Sequence, residues 1–153
     1  MSEIKNISFI LVASAIVVMF CNYLQTDFLF KYLTDNLISL LLTLLAINTA
    51  TLGLIASKMQ DIVADQPEFD FSRTIKEMKL SLLEQIVLIS LSIIILILQD
   101  SKLFTIVHKA TISNIILVGV LIYSINILWD TGKSVFVVIE ELQKMRRNNG
   151  KQN

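Results

Sequence analysis

One cysteine, one proline, four glycines and one histidine are spread over 153 residues, and each scarcity removes a class of protein. Cys21 has no second cysteine in the chain, so an intrachain disulfide and a thiolate metal cluster are both excluded. It reads as a small apolar filler within the first hydrophobic run. His108 stands beside Lys109 with no Cys, Asp or Glu arranged around it at ligand spacing, which leaves a solvated or headgroup histidine. No metal and no cofactor are expected. The sole proline, Pro67, falls outside every hydrophobic run, so the broken helices on which many secondary transporters build their sites are not indicated. Basic and acidic residues balance at 13 each, which argues for neither nucleic acid nor a strongly anionic partner. Catalytic signatures are missing too. There is no G-x-S-x-G, H-E-x-x-H or phosphate loop, and no Ser, His and Asp set able to meet at one level. The chain reads as a non-enzyme.

Apolar side chain is what the sequence has in excess. It is 54% hydrophobic and 17% charged, more than a soluble fold of this size can hide, and the apolar residues come in blocks. Four runs, 7–24, 37–56, 80–98 and 112–129, each approach the roughly 20 residues needed to cross about 30 Å of hydrocarbon. The expected fold is an all-α integral membrane protein of four transmembrane helices, one membrane domain over 1–153. A cytoplasmic amphipathic linker over 58–79 and a cytoplasmic C-terminal helix over 133–147 complete it. The first run follows Lys5 and contains Ala13, Ser14 and Ala15, which imitates a signal peptide. Those small residues come too early, with apolar residues 16–20 still to follow, so a retained first span is the reading.

The second run carries a distinctive pattern. Ser39, Thr43, Ala46, Ala50, Gly53 and Ser57 follow one another at spacings of four, three, four, three and four. At about 100° per residue they fall within roughly 40° of one line along a helix. Helices in lipid associate through close backbone approach over small residues, so this stripe is a candidate packing surface. Asn48 lies on the opposite side among leucines and needs a polar partner there. The pattern suggests a helix contacted on two sides, as in a homo-oligomer.

The connections are read from their punctuation. Residues 25–36 form a short link whose Tyr23, Phe28, Phe30 and Tyr32 surroundings suit a membrane interface. In the longer linker, Met59, Ile62 and Val63 continue a helix that Pro67 ends, and Thr74 with Glu77 matches a capping box, Ser72 being an alternative cap. Its Asp61, Asp65, Glu68 and Asp70 lack the calcium-loop pattern and read as a solvated face. Beyond Gly132, Val135, Val138, Ile139 and Leu142 repeat with helical spacing, either collinear with span four or folded onto the membrane; residues 148–153 read as a disordered tail.

With an even number of spans both termini share one side, and ten of the 13 basic residues fall there, against Lys31, Lys102 and Lys109 opposite. The positive-inside rule then places the termini and the long linker in the cytoplasm of a bacterial inner-membrane protein.

Intramembrane polar residues are the remaining candidates for function, because such groups are costly in lipid. Glu84 and Gln85 lie about one turn inside the third run, and Asn126 falls at a similar depth in the fourth. A Glu84, Gln85 and Asn126 cluster is expected to be geometrically possible. The intramembrane glutamate invites comparison with small four-helix proton-coupled exporters, but those carry it in the first span. In plan the chain resembles membrane components of bacterial antiphage systems such as Kiwa, a likeness of layout that no sequence motif carries. The leading expectation is therefore a non-enzymatic oligomeric subunit, an anchor or pore working with a cytoplasmic protein partner, with antiphage defence the pathway the layout suggests. The alternatives are a small ion-coupled transporter using Glu84, and a holin or pore-toxin immunity protein.

Overall fold

A computed structural model describes residues 2–65, 71–101 and 108–149. The described residues form four helices: α1 Ser2–Tyr23, α2 Phe28–Asp65, α3 Ser72–Asp100 and α4 Lys109–Asn149. Each is long and apolar enough to cross a membrane. No strand occurs among the described residues.

Successive helices run antiparallel. Near one end of the bundle Leu33, Leu37 and Leu41 of α2 join Val18 and Cys21 of α1 and Leu117, Val118 and Val120 of α4, with Ile95 and Leu96 of α3 packed against them. Near the other end Leu52, Ile55 and Met59 of α2 meet Phe71, Met78 and Leu82 beside or within α3 and Val135 and Val138 of α4. The hub of the bundle is α4, which packs against each of the other three helices, while α2 also packs against α3. Every buried residue of α2, from Phe30 to Ile62, lies within roughly 60° of the line through Asn48. Both α3 and α4 therefore cover the same side of α2, and among the described residues the two-sided contact expected for this helix is not made within one chain.

Beside its apolar core the bundle buries several polar residues and turns large apolar ones outward. Ser14, Asn48, Ser92 and Ser124 are fully buried, whereas Phe9, Met19 and Ile97 stand outward at 73%, 70% and 64% exposure. A soluble protein of this size sorts its residues the opposite way.

The helices outrun the apolar runs that announce them. Helix α2 starts at Phe28, not at residue 37, because polar residues end a hydrophobic run without ending a helix. Phe28 and Tyr32 stack on its exposed face with ring centroids 6.2 Å apart, while Phe30 turns inward and is buried. The amphipathic segment after Gly132 is collinear with the fourth run, and α4 continues through Asn148 and Asn149, where a disordered tail was expected. Thr74 is not a cap: α3 begins at Ser72 with Phe71 in the capping position and no side-chain capping bond. Pro67, Glu68 and Asp70 of the linker and the tail from residue 150 lie outside the described residues.

The α1–α2 turn is closed by backbone geometry. Gln25 takes a left-handed φ of 53°, Thr26 N–H donates to the Cys21 carbonyl at 3.1 Å and Gln25 N–H to that of Asn22 at 3.1 Å. That pair of bonds is the Schellman arrangement, in which glycine is the usual left-handed residue. Helix α2 then opens with the Lys31 N–H bonded to the Asp27 carbonyl at 3.0 Å.

Candidate functional site

Three features of the bundle bear on function: the stripe on α2, the polar pairs between helices, and a cavity at the end where α2 finishes and α3 begins. The stripe faces outward along its whole length. Ser39, Thr43, Ala46, Ala50, Gly53 and Ser57 are all exposed, and a Cβ added at Gly53 would meet nothing within 4 Å. The Thr43 hydroxyl donates back to the Ser39 carbonyl at 2.8 Å, which hides its polarity and leaves a smooth face of small groups. Leu42, Ile47 and Leu54 border this face at about half exposure.

Close helix packing within the chain occurs elsewhere. At Gly119 of α4, an added Cβ would come to 3.1 Å of Ser14 Oγ in α1, whose hydroxyl is turned back onto the Ile10 carbonyl at 2.7 Å. The signal in the sequence was the small residues Ala13, Ser14 and Ala15 facing a glycine in another run. Their register could not be read without knowing that α1 and α4 are neighbours.

Polar residues are paired, in combinations different from the expected cluster. Asn48 is fully buried, and its amide donates to Gln85 Oε1 at 3.0 Å and to Ser81 Oγ at 3.2 Å, joining α2 to α3. Asn48 Oδ1 and Gln85 Nε2 are buried without partners, so the two amides meet through one of their two complementary edges. Glu84, one residue along, points about 100° away from Gln85 and towards α4. There the Tyr123 hydroxyl donates to Glu84 Oε2 at 3.3 Å, long for an O–H···O bond. Asn126 joins neither group; its amide donates to Asp130 at 3.4 Å within α4, and Asp130 pairs with Lys133 at 2.7 Å. Glu84, Gln85 and Asn126 are thus divided among three separate contacts. By spacing Tyr123 shares one side of α4 with Asn126 and Asp130, and only the packing of α3 against that side supplies its partner.

The cavity has a volume of about 500 Å³ and opens outward between α2, α3 and α4, which line it. Its walls are mainly apolar, supplied by residues such as Ile55, Met78 and Ile127. Among the described residues Glu77, Glu84 and Asp130 are its charged lining residues, and no Lys, Arg or His contributes. Glu77 is matched by Arg73 at 3.0 Å and Asp130 by Lys133, whereas among the described residues no basic side chain lies within ion-pair distance of Glu84. Cys21 is buried in the core and His108 is exposed with a left-handed φ of 65°, its carbonyl accepting from Ile112 N–H as α4 begins. Among the described residues no three His, Cys, Asp or Glu side chains are grouped so as to hold a metal ion.

No protein-family model, curated protein or solved structure matches this chain.

Proposed function

We propose that this chain is a non-enzymatic subunit of a bacterial inner-membrane assembly, with both termini in the cytoplasm. It associates with copies of itself through α2 and acts as an anchor or pore for a cytoplasmic protein. The reading of a membrane environment is supported by four long apolar helices whose outward side chains are apolar and whose fully buried ones include serine and asparagine. The basic residues around the α2–α3 linker and the C-terminal half of α4 support the orientation.

The observation that carries the assembly is the exposed stripe. A helix whose small residues are all on its uncovered face, with nothing opposite Gly53, keeps its best surface for close helix contact free of its own chain. The ends of α2 and α4 favour a soluble partner: at about 1.5 Å per residue these helices of 38 and 41 residues run to about 60 Å, beyond the roughly 30 Å of hydrocarbon. Antiphage defence is the first pathway to assay, on the likeness of layout alone. The ion-coupled alternative draws on Glu84, half-buried between α3 and α4 with a neutral phenol for its hydrogen-bond partner.

Affinity purification in mild detergent followed by native mass measurement tests the reading. It should return a multimer of this chain with a soluble protein at fixed stoichiometry. A monomer that carries nothing with it would refute it. Loss of membrane potential on expression under activating conditions separates pore from anchor.

A further inference from the structure

We propose that the cavity between α2, α3 and α4 is a binding site for a small amphiphilic organic cation, with Glu84 as its counter-ion. The site is independent of the assembly reading, since it is formed within one chain. Its volume of about 500 Å³ falls in the range of about 300–1,000 Å³ typical of small-molecule sites. Such sites combine apolar walls with a few polar groups that fix orientation, and here Ile55, Met78 and Ile127 supply the walls.

Charge selects the ligand. The three ionisable groups that line the cavity among the described residues are carboxylates, and the cations that answer Glu77 and Asp130 stand on exposed neighbouring turns, Arg73 and Lys133. Glu84 has a phenol at 3.3 Å and no cation among the described residues. A carboxylate held against apolar walls favours a positive charge more strongly than one in water, because the local dielectric is lower. An apolar body with one fixed positive charge satisfies both walls and carboxylate. An anion would be repelled by Glu84, and a neutral apolar molecule would leave Glu84 with only the Tyr123 phenol.

Tetraphenylphosphonium is a suitable probe, since its charge does not titrate. Equilibrium dialysis against the full-length protein in a neutral detergent, with binding to empty micelles subtracted, should show saturable uptake of about one probe per chain, the charge-paired mode of a small-molecule site. Glu84→Gln keeps the shape and removes the charge, and should weaken binding about ten-fold or more, as loss of one desolvated charge contact would. Val137→Trp narrows the mouth from an exposed lining position and should weaken binding with Glu84 intact. Absence of saturable uptake, or equal uptake of neutral triphenylphosphine oxide, would overturn the proposal, as would an affinity unchanged in Glu84→Gln. If Glu84→Gln does not give a monodisperse protein, an unchanged affinity in Val137→Trp overturns it alone. The outcome leaves the native mass untouched, so failure here is distinguishable from failure of the subunit reading.

Discussion

Asn48 and Gln85 show how a single polar residue can choose its neighbour in an apolar helix. An amide in a leucine-rich run must find a partner, because neither lipid nor leucine can hydrogen-bond to it. Its existence on the far side of α2 from the stripe was legible from helical geometry. Its partner was not, since Gln85 and Glu84 are adjacent in sequence and only packing decides which faces α2 and which faces α4. The model of one amide edge joined to another gives a double-mutant prediction. Gln85→Leu leaves the Asn48 amide short of an acceptor and should cost about 0.6–2 kcal/mol in a reversible detergent unfolding assay. Asn48→Leu combined with Gln85→Leu should cost less than the sum of the two single changes, because the pair is then removed together. Strict additivity would mean that the two amides do not interact. Gly119 and Gly53 make the same point for glycine. Both fall in apolar runs, yet an added Cβ crowds Ser14 at one and meets open space at the other.

At the scale of the element, the four helices were legible because their apolar runs are long, and their ends were not because polarity and helix termination are different physical events. The segments 28–36 and 58–65 are polar enough to end a hydrophobic run, but nothing in them breaks a backbone, so α2 passes through both. Asp27 provided the missed start signal, a residue type favoured where a helix begins. At the other end of the chain, the sequence leaves the segment after Gly132 either collinear with span four or folded onto the membrane; one glycine costs a helix only about 1 kcal/mol, and α4 continues past it. The α1–α2 turn yields a prediction of its own. Gln25 holds a left-handed conformation that costs an L-residue about 1–2 kcal/mol and glycine almost nothing. Gln25→Gly should therefore stabilise the protein by about 0.5–1 kcal/mol, the left-handed strain it relieves being partly offset by the added freedom of the unfolded chain. A lower unfolding midpoint for this variant would contradict the turn geometry.

For the whole molecule, the decisive property is the distribution of surface. One chain buries serine, asparagine and glutamine between helices and turns phenylalanine, methionine and isoleucine outward. It covers one side of α2 with α3 and α4 and leaves the small-residue side bare. The stripe itself was readable from spacing alone; which side the chain covers was not, because α2 offers both an apolar and a small-residue face to any neighbour. The bare stripe, proposed above as the contact with another copy, and the cavity, proposed as a cation site, lie on opposite sides of α2. The native mass of Gly53→Leu, compared with the unaltered protein and with Ile94→Phe on the exposed face of α3, tests the central claim most directly. Because no described residue lies within 4 Å of a Cβ added at Gly53, added bulk there leaves the fold of the single chain intact. A multimer is expected for the unaltered protein and for Ile94→Phe, and a folded monomer for Gly53→Leu. A Gly53→Leu protein that keeps the full multimeric mass would contradict that claim.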